Sequence, residues 1–264
     1  MRIKTYQILN IIGLIAVLVV NYLANALPIA GRNTGEISDS YPSLFTPAGL
    51  TFSIWGIIYL LLIIFAIYQA KGLFKESNIP QNRYLYRIDI WFFVTSVLNV
   101  SWIFAWHHQI VWLSMVLMLL FLFSLILIYT RLGIGRRVVS RSEMYLVNMP
   151  FSIYLGWISV ATIANASTLL LSYNWNGWGI APETWTVVMI VIAILLTLIV
   201  LFSRKDIFYS LVIIWALAGI IYKRVELAET YYGSIAWTAG IGILIILVVA
   251  IFQAVKKFNR RLVA

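Results

Sequence analysis

The chain has 264 residues, of which 62% are hydrophobic and only 11% are charged. Soluble domains are roughly half apolar and about a quarter charged, so this composition excludes an ordinary soluble domain and indicates a membrane protein. The net charge of +10 does not indicate nucleic-acid binding, because the basic residues form short clusters between apolar runs. The sequence has no cysteine, which excludes disulfides and thiolate chemistry.

A helix that spans a bilayer needs about 20 mostly apolar residues, and eight stretches of the sequence qualify. We therefore predict an all-α fold, a polytopic membrane bundle of about eight transmembrane helices. The predicted spans are residues 6–26, 48–70, 88–106, 110–131, 144–170, 184–203, 206–222 and 234–256. The first span also resembles a signal peptide, because basic residues precede it and Ala24-Asn25-Ala26 looks like a cleavage site. Its length favours a retained first helix.

The basic residues predict the orientation of the bundle. With eight spans, 16 of the 19 lysines and arginines fall on the side of the N-terminus, and only Arg32, Lys223 and Arg224 fall on the other. Cytoplasmic loops carry an excess of basic residues. We therefore expect a multi-pass protein of the cytoplasmic membrane with both termini in the cytoplasm.

The stretch 172–183 is the best candidate for a boundary within the chain. It is rich in Asn, Gly, Trp and Pro, and it separates the fifth predicted span from the sixth. We predict a five-helix core over residues 1–171, an extracytoplasmic loop over 172–183 and a three-helix C-terminal extension over 184–264.

The stretch from Tyr41 to Tyr59 passes from a proline-bearing loop into an apolar helix. Pro47 lies in the loop, and Phe52, Trp55 and Tyr59 follow at i, i+3 and i+7, so the three rings project from one helix face. Such a face below a stiff loop is typical of the wall of a pocket. It is equally typical of a packing stripe near the membrane interface.

Amide, small and aromatic side chains share one face in two further predicted spans. These are Asn99, Trp102 and Trp106 in the third span, and Pro150, Tyr154, Trp157, Ala161 and Asn165 in the fifth. An amide that faces lipid is costly, so we expect both asparagines to face protein or a cavity. The pattern fits helix packing, and it also fits an aromatic-walled pocket for a flat lipophilic ligand.

The short connection after the third span carries Trp106, His107, His108 and Trp112. We expect the two histidines to be exposed at the tip of this hairpin. Tryptophan is enriched where membrane helices meet water, so we expect the two tryptophans to lie at the membrane interface.

Three motifs, in order along the first 171 residues, resemble the TspO/MBR family of translocator proteins, also called tryptophan-rich sensory proteins. They are a Pro–Trp–Tyr pattern at Pro47, Trp55 and Tyr59, a Leu-Asn-x-x-Trp motif at Leu98, Asn99 and Trp102, and a Trp-x-x-x-Ala-x-x-x-Asn motif at Trp157, Ala161 and Asn165. The family core has five helices, so the helices from about residue 184 are additional. The chain also has Gly49 or Leu50 where the family often carries a tryptophan close to the ligand.

The resemblance implies a core pocket that opens near the first loop. Similar proteins bind tetrapyrroles such as protoporphyrin, synthetic aromatic compounds and in some cases sterols. The ligand-binding residues that it implies are Pro47, Phe52, Trp55, Tyr59, Asn99, Trp102, Tyr154, Trp157, Ala161 and Asn165. We expect the protein to bind a lipophilic aromatic ligand, with a porphyrin or haem-like molecule as the candidate, for sensing, sequestration or transport. No cofactor is required, the lipid bilayer and the ligand are the expected partners, and a homodimer is left open.

Two other functions stay open. A secondary transporter would use the extension to form an alternating-access path, with Asp89 as a proton-coupling residue. The simpler interpretation of Asp89 is an interfacial ion pair with the nearby Arg83 and Arg87. A porphyrin-modifying enzyme would need redox or light chemistry at aromatic side chains, because the sequence shows no nucleophile–base pair and no set of metal ligands. We favour binding over catalysis.

Overall fold

The structure, a computed structural model, describes residues 2–27, 29–71, 73, 83–227 and 230–262. Within these residues the chain is helical and contains no strand. The helices are α1 Arg2–Ala26, α2 Thr34–Asp39, α3 Ile54–Ala70, α4 Arg83–Ile88, α5 Trp91–His107, α6 Val111–Leu132, α7 Arg141–Glu143, α8 Met149–Ser172, α9 Pro182–Arg204, α10 Ile207–Val225 and α11 Gly233–Leu262. A 3-10 turn over Gly49–Ser53 leads into α3, and a π-helical stretch over Met144–Asn148 joins α7 to α8. The predicted all-α bundle is confirmed.

Seven of the helices in the described part of the chain are long and apolar enough to cross a membrane, one fewer than predicted. The difference is the third predicted span, 88–106, which corresponds to α5 and begins three residues later in the structure. Asp89 lies between α4 and α5 with a φ of 55°, a left-handed conformation that ends a helix. Helix α5 has 17 residues, about 26 Å of rise, which is the lower limit for a span.

The contacts of α5 show that it nevertheless runs the full length of the bundle. Its start lies beside the end of α6, where Arg131 Nη2 is 3.2 Å from Asp89 Oδ2. Its end lies beyond α1, where His107 Nδ1 is 3.0 Å from Ile29 O. We call these two ends the basic end and the loop end. The basic end contains Lys4, Lys71, Arg83, Arg87, Arg131, Arg136, Arg137, Arg141, Arg204 and Lys205, and the loop end contains the long segment 29–48.

Asp89 was expected to pair with Arg83 or Arg87, and the structure gives it Arg131 instead. The left-handed turn at Asp89 points its carboxylate across to α6 rather than along α4. A hydrogen bond from Tyr6, together with the Arg131 guanidinium, holds the pKa of Asp89 below its ordinary value.

A buried carboxylate joins the start of α10 to the first five spans. Asp206 is 4% exposed and caps α10 by accepting hydrogen bonds from the backbone N–H of Phe208 and Tyr209. Its other oxygen accepts from Tyr129 Oη at 2.9 Å and Ser152 Oγ at 2.6 Å. Burial raises the pKa of Asp206 above its ordinary value. One hydrophobic core runs through both parts of the chain, from Leu14 to Ala250.

The expectations for the hairpin after α5 were wrong for His107 and Trp106, whereas His108 is exposed as expected. His107 is 1% exposed, and its Nε2 lies 3.1 Å from Thr34 Oγ1. Trp106 is 5% exposed and donates through Nε1 to Thr34 O at 3.3 Å. The cause is the segment after α1, which folds over the end of α5 and removes both side chains from the interface. Trp112, by contrast, is 56% exposed on the surface of α6.

Candidate functional site

The helix ends at the loop end surround two adjoining cavities. The main cavity has a volume of about 480 Å³, and a narrow cleft of about 40 Å³ lies beside it. The main cavity is lined by Asn21, Asn25, Asn33, Thr34, Gly35, Glu36, Asp39, Gly49, Phe52, Ser53, Trp55, Tyr59, Trp102 and Ile103. The cleft is lined by Thr34, Ser38, Pro47, Phe52, Trp55, Trp102, Trp106, Trp157, Val160, Ala161, Ala164, Asn165 and Thr168. Thr34, Phe52, Trp55 and Trp102 belong to both linings, so the two spaces share a wall.

The shared wall is aromatic and its rings support one another. Trp55 stacks on Tyr59 with centroids 5.3 Å apart and an interplanar angle of 21°. It also meets Trp157 edge to face at 6.2 Å, and Phe52 meets the same ring at 5.8 Å. These distances lie in the range of favourable aromatic pairs. Because α3 and α8 both contribute rings, the wall is held by two spans rather than one.

The asparagines predicted on α5 and α8 are bridges between helices. Asn165 Oδ1 accepts from Trp102 Nε1 at 3.0 Å, and its Nδ2 donates to Ser114 Oγ at 3.0 Å. Asn99 Oδ1 accepts from Asn21 Nδ2 at 2.8 Å. Both amides are therefore used within the protein, as packing predicts, although Asn165 also contributes to the lining of the cleft.

The structure brings eight of the ten predicted site residues to the two cavities. Tyr59 lines the main cavity, and Pro47, Trp157, Ala161 and Asn165 line the cleft. Phe52, Trp55 and Trp102 line both. The other two, Asn99 and Tyr154, lie behind the wall, where Tyr154 packs its ring against Trp55 and Phe121. That these residues bind a ligand remains a prediction.

One polar atom in the cleft wall has no partner. Trp157 is 2% exposed, and its Nε1 makes no hydrogen bond within the described residues. A buried N–H without an acceptor costs about 1–3 kcal/mol. The same indole lines the cleft of about 40 Å³ but not the main cavity, so an acceptor group that reached from the main cavity into the cleft would remove this cost.

The outer part of the main cavity carries two acidic side chains. Asp39 forms an ion pair with Lys223 at the end of α10. Glu36 has no cation within ion-pair distance in the described part of the chain, and its carboxylate accepts from the backbone N–H of Asn33 at 2.9 Å as part of a capping box for α2. The main cavity therefore has a weakly negative entrance.

Sequence reasoning missed the contribution of the first helix and the segment after it. Asn21 and Asn25 line the main cavity, and Asn21 Nδ2 also donates to Val17 O at 2.9 Å. Two asparagines four residues apart inside an apolar span were a usable signal, because they must share one helix face away from lipid. The part played by Thr34, which touches both cavities and His107, has no local sequence signal.

The residue that the transporter hypothesis singled out lies elsewhere. Asp89 is at the basic end in its ion pair with Arg131 and lines neither cavity. Among the residues that the structure describes, no group of three or more His, Asp or Glu side chains is placed to hold a metal ion.

The helical bundle and the open cavity with its aromatic wall define a multi-pass membrane protein with a space of small-molecule size at one end. A family model described as TSPO-like protein matches residues 7–252, and the chain belongs to this family. The match confirms the resemblance seen in the three motifs. It continues through α9 and α10 into α11, rather than ending near residue 171. No curated protein and no solved structure matches the chain.

Proposed function

We propose that this protein binds a flat, lipophilic aromatic ligand that carries a hydrogen-bond acceptor, for sensing, sequestration or transport. The observation that carries the proposal is the indole of Trp157, which lines an aromatic cleft with its N–H unpartnered. An acceptor on the ligand would satisfy this N–H, while ring stacking and apolar burial would supply most of the affinity.

The size of the site supports a ligand of this class. Small-molecule sites usually have volumes of about 300–1,000 Å³, and the main cavity falls within that range. Its amides at Asn21, Asn25 and Asn33 offer further donors and acceptors that can fix the orientation of a ring system. A tetrapyrrole, which family membership suggests, is the first candidate to test.

The entrance suggests a preference for ligands without negative charge. Protoporphyrin IX carries two propionates, and the carboxylate of Glu36 at the cavity entrance would repel them. The dimethyl ester of the same porphyrin keeps the rings and removes both charges. We therefore expect the ester to bind more tightly than the free acid at low ionic strength, and the difference to shrink in salt.

The replacement Glu36→Gln tests this directly. We expect it to tighten protoporphyrin IX binding by about twofold to fivefold, the scale of an exposed charge interaction, and to leave binding of the dimethyl ester unchanged. Glutamine can retain the capping box of α2, so the local fold is kept. The measurement is a titration of the purified protein in detergent, followed by tryptophan quenching. Equal changes for acid and ester would contradict the electrostatic explanation, and no saturable binding of either would contradict the ligand class.

We also propose that the protein lies in the cytoplasmic membrane with its basic end in the cytoplasm. This is the orientation that the distribution of basic residues predicts. Because the chain has no cysteine, single cysteines introduced at Ser140 and at Asn174 give clean labelling sites. An impermeant thiol reagent added to intact cells should label the site at Asn174 and spare the site at Ser140. The reverse pattern would invert the proposed topology.

A further inference from the structure

The end of α10 carries a buried arginine that holds the segment in front of α3. Arg224 is 8% exposed, and its guanidinium donates three hydrogen bonds to backbone carbonyls. Nε donates to Leu44 O at 3.1 Å, and Nη2 donates to Ser43 O at 3.0 Å and to Thr46 O at 3.4 Å. The planar guanidinium has several donors in a fixed fork, so one side chain can fix three carbonyls of an irregular segment.

Two further hydrogen bonds join α10 to the same segment. Trp215 Nε1 donates to Thr51 O at 2.9 Å, and Ala48 N donates to Gly219 O at 3.1 Å. Gly219 lies so close to the Thr51 side chain that a Cβ built on it would be 2.0 Å from Thr51 Oγ1. Positions 43–51 are therefore attached to α10 at five hydrogen bonds and one close contact.

The opposite side of this segment faces the cavities. Pro47 lines the cleft and Gly49 lines the main cavity, while Phe52 directly follows the segment and lines both. The backbone that α10 holds is thus the backbone that positions part of the proposed ligand site. A segment held in place before the ligand arrives does not have to lose conformational entropy on binding, which raises affinity.

We propose that α10 is part of the ligand-binding unit and that Arg224 is a positioning residue, which keeps residues 43–51 in the conformation that forms the cavity wall. This inference rests on the proposed ligand site for its function, whereas the restraint itself can be measured without any ligand. The proposal gives α10, one of the three C-terminal spans, the role of holding residues 43–51, which the helices of the five-helix core do not fill.

The restraint is tested first, by thiol labelling of a single cysteine introduced as Ser43→Cys. Ser43 is 5% exposed, and its Oγ has no hydrogen-bond partner within the described residues, so the replacement removes no polar contact. We expect slow labelling when Arg224 is present. In the Arg224→Gln background labelling should be at least about tenfold faster, which corresponds to losing a hydrogen bond from a charged donor.

The matched control is Lys223→Gln, which removes the same charge from the neighbouring residue. In the described structure Lys223 forms an ion pair with Asp39, whose side chain is 52% exposed, and makes no hydrogen bond to residues 43–51. Its replacement should leave the labelling rate unchanged. An unchanged rate in Arg224→Gln, with a melting temperature near that of the parent, would overturn the restraint.

The binding role is tested by titration with protoporphyrin dimethyl ester. We expect Arg224→Gln to weaken binding by about tenfold and Arg136→Gln, the same replacement at an exposed arginine of the basic end, to have no effect. Arg224→Lys should lie between them, because a lysine can reach carbonyls but lacks the planar fork. Faster labelling with unchanged affinity would overturn the positioning role. If the parent protein binds no porphyrin, the proposed ligand fails, and the labelling rates alone decide whether α10 restrains the segment.

Discussion

Replacement of Trp157 by alanine is expected to weaken ligand binding by about thirtyfold or more. The indole supplies the unpartnered N–H of the cleft and supports Phe52 and Trp55, whose rings line the main cavity, and losing both roles removes roughly 2 kcal/mol or more. The replacement also removes the edge-to-face contacts with Phe52 and Trp55. We therefore expect the ligand-free protein to lose about 3–5 kcal/mol of stability as well.

The neighbouring replacement Ile158→Ala separates binding from stability. Ile158 is 0% exposed and lines neither cavity, so its loss should destabilise the fold by a similar amount and leave the affinity of the folded fraction unchanged. Trp157→Phe is the second comparison, because it keeps one aromatic ring while it removes the N–H and the second ring of the indole. Equal losses of affinity in Trp157→Ala and Ile158→Ala would show that the aromatic stripe on α8 is only packing.

Replacement of Gly219 by valine should disrupt the contact between α10 and the start of α3. The first carbon added would lie 2.0 Å from Thr51 Oγ1 and 2.8 Å from Thr51 Cγ2, distances that require the helix and the 3-10 turn to separate. Overpacking of this kind costs about 1–3 kcal/mol and more where backbone must shift. Because Gly219 O also accepts from Ala48 N, we expect reduced thermal stability together with loss of porphyrin binding.

Gly240→Val is the matched control for this prediction. Gly240 lies in α11, and a Cβ built there has no atom within 4 Å, so the same enlargement meets open space. We expect its melting temperature and affinity to stay close to those of the parent. Adding Thr51→Ala to the Gly219 variant should restore part of the stability, because it removes the two shortest contacts. A Gly219 variant as stable as the Gly240 variant would contradict the close packing of α10 on Thr51.

The sequence predicted the helices well because apolar length is a local property. The third span was expected to begin at residue 88, but the left-handed turn at Asp89 delays its start to Trp91, and a single aspartate next to arginines does not predict such a turn. The rings on α3 and α8 were found because the i, i+3, i+7 spacing puts them on one face. That these rings contact each other and form one wall depends on how the two spans pack, and the spacing along each helix does not determine that packing.

The parts of the site that could not be predicted are contacts between distant residues. Arg224 and Ser43 are separated by 181 positions, and nothing near either residue in the sequence indicates the other. His107 and Trp106 looked like residues of an exposed hairpin, and their burial depends on how the segment after α1 folds back. The unpartnered N–H of Trp157 likewise follows from what surrounds the indole, not from the residue type.

If the space beside Phe52 and Trp55 is the ligand site, filling that space with a larger side chain must weaken binding. Gly49 lines the main cavity, and a Cβ built on it has no atom within 4 Å, so the first carbon of a leucine at this position meets open space. Gly56→Leu makes the same change on the exposed face of α3, again with no atom within 4 Å.

The measurement is the dissociation constant of protoporphyrin dimethyl ester for the parent protein and these two variants, with melting temperatures alongside. We predict about a tenfold weaker affinity for Gly49→Leu, unchanged affinity for Gly56→Leu, and melting temperatures close to that of the parent for both. Equal affinities for the parent and the Gly49 variant would place the ligand outside this cavity and contradict the account.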